Sequence, residues 1–399
     1  MNIPRDSNGV LDNTLNLIKL SIWGKGACSK IDEKVYEEMK NHTILALPTA
    51  ILPKMDITSA LQNKWHKAIM QQLAYYTQYK YEQSNLPISV PYVVLKGTSA
   101  AQYYPHTEYR AMGDIDIITR REDFSIACQE LINNGYRVKK QLNREVGFVK
   151  NGIIIEVHRS FAALNDPNRA NYLDDLIISN IGSTHVLPDL INGLVLLEHI
   201  SQHLENGLGL RQIIDWMMFV DKCLPDEKWT EFNHMVKQIG LTKLAIVVTR
   251  MCELYLGLPT RKWCKDTDDD ICYALLDYIY NSGNFGNKQN NDTGRSIQTI
   301  YNIYSISSFF KLLQKHGKMN WNLAQKYRLF HPFAWMYQLC HFINKGLRRN
   351  EAIAQFNNEY RKVVERKKLF SALGVKETSK GLAVYQNGKY RKKRWYKKD

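Results

Sequence analysis

Apolar positions change their spacing twice along the chain. Up to about residue 90, stretches such as EKVYEEMKNHTILALPTAIL and SALQNKWHKAIMQQLAYYTQYKYEQ place apolar residues three and four apart, as one face of a helix requires. Pro87 and Pro91 punctuate the end of that region. Between Tyr92 and Arg159 strands and helices mix. PYVVLKG is a short β-branched run ending at Gly97, followed by TSAAQYY as a helical turn with Thr98 as its N-cap. DIDIIT alternates as a strand, and REDFSIACQELINNG is amphipathic and stops at Gly135. YRVKKQL, EVGFVK and IIIEVHR then read as strands, the last two joined by Asn151-Gly152, a strong hairpin signal.

From about residue 165 the helical spacing returns in LINGLVLLEHISQHL, GLRQIIDWMMFVDKCL, LTKLAIVVTRMCELYLGL, DDDICYALLDYIY and an aromatic-rich span from Ile297 to Phe342. NSGNFGNKQNNDTGRS, near 281 to 296, is polar and glycine-containing and reads as a loop or lid. The pattern predicts an α+β protein: an N-terminal helical segment at 1–87, a small mixed-sheet α/β domain at 88–162, a larger all-helical domain at 163–384 and a basic tail at 385–399.

Composition narrows the class without naming a reaction. The 399 residues are 44% apolar and 23% charged, which fits an ordinary globular protein with a sizeable core. No apolar run reaches the roughly 18 residues of a membrane span, and MNIPRDSNGV lacks the order of a secretory signal, so the expected location is the cytoplasm. Seven cysteines without a C-x-x-C pair argue for reduced thiols rather than a disulfide framework or a zinc knuckle.

The net charge of +15 suggests nucleic acid, but it is unevenly spread. From Lys345 onward there are 17 Lys and Arg against 5 Asp and Glu, whereas the first 344 positions carry 37 against 34. Basicity therefore belongs to the C-terminal end, where KYRKKRWYKKD reads as disordered or as folding only on a partner. Its mixture of cations and aromatics is compatible with single-stranded nucleic acid, a membrane surface or plain solubility.

The chemistry concentrates in LKGTSAAQYYPHTEYRAMGDIDI and IIIEVH. Alternation in a strand sends Asp114 and Asp116 to one face, about 7 Å apart, and Ile115 and Ile117 to the core. Glu156 and His158 share the face opposite Ile153, Ile155 and Val157, so Glu156 can join the aspartates if the two strands are neighbours. Three carboxylates with open positions suit Mg²⁺ or Mn²⁺. Lys96-Gly97-Thr98 ends a strand and opens a helix, where glycine lets the backbone approach a phosphate. A phosphate cradle beside a carboxylate-held metal is the arrangement for in-line phosphoryl or nucleotidyl transfer.

In these residues the chain resembles the polymerase-beta-like nucleotidyltransferase superfamily, whose signature is a strand ending in Gly-Ser or Gly-Thr, then Asp-x-Asp, then a carboxylate on a later strand. Within it, LKG…YP…R…GDIDI…NGY…IEVH, with NHTILALP upstream and EHISQH…LRQIIDW downstream, resembles the uncharacterised bacterial nucleotidyltransferase family over roughly residues 35 to 340. The resemblance implies that Asp114, Asp116 and Glu156 bind the metal, with Glu156 helping to activate an acceptor hydroxyl. It also implies that Gly97 and Thr98 hold the β- and γ-phosphates and that Gly113 permits a tight entry to the Asp strand. Lys96 and Arg110 are the nearest cations for phosphate charge. The implied reaction moves an NMP from an NTP to an unidentified acceptor, which could be a small molecule, a protein or an RNA end. The alternatives are an RNA-modifying toxin or defence factor using the same site, and a catalytically degenerate nucleotide- or nucleic-acid-binding module.

Other signals have plainer readings beside them. Asp266, Asp268 and Asp270 also form Asp-x-Asp pairs, but ahead of a helix, where acids cap. His158 sits on the face of Glu156 and is either a partner of the site or an ordinary half-buried histidine. His199 and His203 stand one turn apart without the His-Glu-x-x-His order of zinc proteases, so a structural or substrate-facing role is expected. Arg211 and Asp215 have the spacing of an intrahelical ion pair, on a helix that could wall the cleft. The aromatic stripe from Tyr301 to Tyr337 reads as core.

Overall fold

The computed structural model describes residues 9–28, 31–142, 144–182, 184–204, 207–284, 288, 310, 313–314, 317–318, 320–347 and 364–375. The basic tail and most of the segment near 281 to 296 lie outside them. Two compact units are present, Met1–Lys288 with Ser371–Lys376, and Gln289–Phe370 with Glu377–Asp399.

The first unit holds a mixed five-stranded sheet of β1 (Tyr92–Leu95), β2 (Ile115–Thr119), β3 (Arg137–Gln141), β4 (Glu145–Lys150) and β5 (Ile153–His158), in the order β1-β2-β5-β4-β3. Asn151 and Gly152 both take positive φ, 52° and 80°, at the β4–β5 hairpin, the geometry that makes Asn-Gly favourable there. β1 runs antiparallel to β2, while β2 and β5 are parallel, with Asp116 beside Glu156 and Ile118 beside His158.

One face of the sheet is apolar. Val94, Ile115, Ile117, Phe148, Ile153, Ile155 and Val157 are sealed together with Phe124, Ala127, Cys128 and Leu131 of α5 (Phe124–Asn133) and Tyr79 of α3 (Ser59–Ser84). The outer edge of β1 is closed by the chain near His185, whose carbonyl accepts from Val94 N–H at 2.9 Å and whose ring stacks on Tyr92. An edge covered this way offers no template to another strand.

Helices make up the rest of the unit. α1 (Val10–Trp23), α2 (Glu33–Asn41) and two short 3₁₀ turns precede α3, so the motif NHTILALP folds as tight turns and not as a continuation of the helix before it. After the sheet come α6 (Pro167–Ser179), α7 (Asp189–Leu204), α8 (Leu210–Cys223), α9 (Trp229–Ile239), α10 (Thr242–Leu256) and α11 (Asp269–Ser282). Their core centres on Trp216, Phe219 and Phe232, and the Trp216 indole donates to Thr249 Oγ1 at 2.9 Å. Asp268 caps α11 through Asp270 N–H, which is the plain role expected for that acidic run. α4 (Gly97–Ala101), the five-residue turn after β1, is bolted to α7: Asn192 donates to Ser99 O at 2.7 Å, and Tyr103 donates to Asp189 at 3.0 Å.

In the second unit α12 (Asn322–Lys326) and a 3₁₀ segment lead into α13 (Ala334–Leu347). Trp321 and Tyr337 stack at 5.2 Å, yet Leu329 and Phe333 are 80% and 55% exposed, so only part of the aromatic stripe serves as core. Among the described residues no helix is long and apolar enough to cross a membrane.

Candidate metal and nucleotide site

Strand alternation carries Asp116, Glu156 and His158 to the sheet face away from the apolar core, and the parallel β2–β5 pairing sets them side by side. One ligand atom from each lies within 4.8 Å of the others, a spacing that can hold a metal ion. Asp116, 2% exposed, is contacted by His158 Nε2 at 2.8 Å and by Lys96 Nζ at 2.9 Å. Asp114 stands just before the first residue of β2, half-buried and outside that three-residue cluster. Its backbone carbonyl accepts from the Tyr79 hydroxyl at 3.2 Å, and that of Gly113 from Tyr75 at 2.9 Å, so α3 braces the entry to the strand.

Two neighbours were not singled out from the sequence. Glu145 Oε2 lies 3.5 Å from His158 Nδ1, and Lys140 bridges Glu145 at 2.5 Å and Glu156 at 3.8 Å. The signal was present: counting outward from the Asn-Gly turn places Glu145 opposite His158 and Gly147 opposite Glu156. With no side chain at Gly147, Lys140 reaches across to Glu156.

The charges are unequal in their comfort. Burial opposes ionisation of Asp116, but the Lys96 ammonium and the His158 hydrogen bond outweigh it and hold the pKa below the usual carboxylate range. Burial likewise works against Lys96, and Asp116 with Asp114 overcomes it and raises its pKa. Asp114 is pushed up, first by repulsion from Asp116 and then by burial. Glu156 is pushed up to about 7 by burial and by repulsion from Asp114, Asp116 and Glu145. Four carboxylates thus face two lysines and, on the side of Asp114, Arg211, an excess of negative charge that a divalent cation would relieve.

The turn after β1 brings Lys96 to the carboxylates through unusual backbone geometry: Lys96 has φ 56° and Gly97 φ 41°, and a Cβ at Gly97 would collide with the Tyr79 hydroxyl. Only glycine suits that position. Three expectations for this region need correction. Lys96, and not Thr98, precedes the first turn of α4; the Thr98 hydroxyl donates instead to Gln83 Oε1 at 2.9 Å, because α3 runs alongside. Gly113 has no positive φ and open space around its Cα, so no tight turn demands glycine there. Arg110 is committed elsewhere: its Nε and Nη2 clasp Asp215 at 2.8 and 2.7 Å, with the Tyr104 hydroxyl donating to the same carboxylate at 2.7 Å.

That clasp also replaces the expected Arg211–Asp215 pair. Arg211 Nη1 donates instead to Ala111 O at 3.2 Å, and its buried Nε has no hydrogen-bond partner. His199 and His203 of α7 meet Nε2 to Nε2 at 2.9 Å. Burial lowers both, His199 well below its ordinary value and His203 to about 3, and the cations Lys96 and Arg211 add to the effect. The pair is therefore neutral and lies within electrostatic reach of the carboxylate site.

The model of a family described as uncharacterised nucleotidyltransferase matches residues 33–257, and the chain belongs to that family. No curated protein and no solved structure shows a match. The matched span takes in the whole sheet, α3 with its tyrosine braces, and the helices that carry His199, His203, Arg211 and Asp215.

Proposed function

We propose that the protein transfers a nucleoside monophosphate from an NTP to a hydroxyl acceptor, with Mg²⁺ or Mn²⁺. The observation that carries this reading is the convergence of Asp116, Glu156 and His158 from two parallel strands, beside Asp114 and the Lys96-Gly97 turn. The donor set fits: oxygen ligands suit either cation, and one imidazole nitrogen favours Mn²⁺ over Mg²⁺. A divalent cation held by Asp116, Glu156 and His158, with Asp114 alongside, would neutralise triphosphate charge and polarise the α-phosphorus.

The protein's own groups do the rest. The acceptor oxygen bonds to the α-phosphorus, the bond from that phosphorus to the bridging oxygen breaks, and pyrophosphate leaves. Glu156 takes the acceptor's proton, and Asp114 and Asp116 would hold the cation that neutralises the triphosphate. Lys96, which neutralises Asp116 here, is close enough to meet phosphate oxygens once a cation takes over that carboxylate. Gly97 permits close backbone approach, and Thr98 lies beside it. α7 and α8 form the opposing wall.

Incubation with each of the four α-³²P-labelled NTPs, Mg²⁺ or Mn²⁺ and cell extract tests the reading. Label transferred by the wild type and absent with Asp114→Ala/Asp116→Ala supports it and identifies donor and acceptor class; equal labelling by both removes it.

A further inference from the structure

Two guanidinium groups lie near the site, and Asp215 makes an ion pair with only one of them. Asp215 is saturated by Arg110, which binds both of its oxygens, and by the Tyr104 hydroxyl. Arg211, four residues earlier on α8, makes no ion pair among the described residues. Its one hydrogen bond goes to Ala111 O, three positions before Asp114, and its Nε is buried and unpartnered. The neighbouring side chains of α7, His199 and His203, are neutral and supply no counter-charge. Asp215 and then Asp114, which belongs to the cation site, attract it through space without an ion-pair contact among the described residues.

A guanidinium drawn partly out of water without an ion-pair contact is costly, because a charge withdrawn from water needs both an opposite charge and acceptors for its donors. Planar guanidinium groups match phosphate oxygens with two parallel hydrogen bonds. The hydrogen bond to Ala111 O sets Arg211 against the loop that delivers Asp114, where the outer phosphates of a nucleotide would project if its α-phosphate met the carboxylate-held cation.

We propose that Arg211 anchors the β- and γ-phosphates of the NTP, supplying the phosphate charge for which Lys96 and Arg110 were the expected cations; this deepens the nucleotidyltransferase reading and rests on it. Arg110 instead fixes α8 to the loop before β2, so that Arg211 is presented at a set position. Binding the outer phosphates makes the site selective for a triphosphate over a monophosphate.

Calorimetry with the four α,β-methylene nucleoside triphosphates and the corresponding monophosphates, in Mg²⁺, tests this on wild type, Arg211→Gln and Arg211→Lys. Arg211→Gln should weaken triphosphate binding by about 10- to 100-fold, the worth of charge-assisted hydrogen bonds, and monophosphate binding by less than about twofold. Arg211→Lys, which keeps the charge but not the fork, should lose about 3- to 10-fold, with greater sensitivity to salt. Triphosphate affinity unchanged in Arg211→Gln overturns the proposal while leaving NMP transfer by the wild type intact. If Arg211→Gln does not fold, Arg211→Lys decides: binding equal to wild type in affinity and salt dependence overturns it. Failure of the wild type itself to bind any triphosphate or to transfer label sinks the nucleotidyltransferase reading as well.

Discussion

On the side of the sheet that meets α3 and α5, Ile115, Ile117, Phe148, Ile153, Ile155 and Val157 are sealed from water, whereas the residues between them put Asp116, Glu156 and His158 on the other side. The strands are the same and only the parity of the position differs. The apolar face gains stability with every side chain it buries. The charged face keeps Asp116 ionised through Lys96 and His158, but it holds Glu156 buried and beside other carboxylates, and that group is pushed up to about 7. The first face sustains a geometry that the second, left to itself, would relax, which is how a cation site is kept ready at the expense of stability.

That contrast can be broken from either side. The largest effect is expected for Asp116→Ala, which should reduce NMP transfer by at least about 10³-fold while leaving the fold intact. Thermal scans sharpen it: Mn²⁺ should raise the melting temperature of the wild type and not of Asp116→Ala. A variant that still transfers label at wild-type rate would place the chemistry elsewhere.

On the apolar face, Phe148→Ala should cost about 3–5 kcal/mol in urea unfolding, from lost burial and the cavity left behind. Gly97→Ala stands between the two faces. It should cost about 1–3 kcal/mol, through a positive φ and the clash with the Tyr79 hydroxyl. Tyr79→Phe in the same chain should restore part of that loss.

The smallest effect is the most diagnostic. Because the folded-state pKa of Glu156 lies above its ordinary value of 4.5, the folded protein holds the proton more tightly than the unfolded chain does. Stability from this group is therefore present below about pH 4.5 and is lost as pH rises through about 7. In metal-free buffer at pH 8, Glu156→Gln should be more stable than wild type by about 1–2 kcal/mol, a figure reduced for the partial exposure of the side chain. The gain should shrink as pH falls from 7 toward 4.5, and the same variant should lose NMP transfer. A gain that is constant with pH would mean that ionisation of a buried and repelled carboxylate is not its source.

Much of the sheet was legible because its signals are local. A β-branched run marked β1, alternation marked β2 and short strand patterns marked the others, Asn151-Gly152 marked the hairpin with the φ values it needs, and the helix from Phe124 ended beside Gly135. The pairing of Glu145 with His158 follows from that turn by counting and could have been drawn. Asp116 and Glu156 could be assigned to a polar face, but not to each other, because strand neighbours joined through a parallel crossover are chosen by packing and not by sequence proximity.

The chain by itself determined which strand residues share the apolar face and which the opposite one, and hence that acids at 114, 116 and 156 could meet phosphate chemistry. It did not determine which charge meets which. The guanidinium that looked free, Arg110, is clasped by Asp215 from a helix 105 residues away, Thr98 turns to Gln83 of α3, and Arg211, which looked paired along its own helix, makes no ion pair among the described residues. Side-chain periodicity is set by backbone geometry within a few residues, whereas an ion pair is decided by whichever helices pack together. Only the tertiary structure makes that choice.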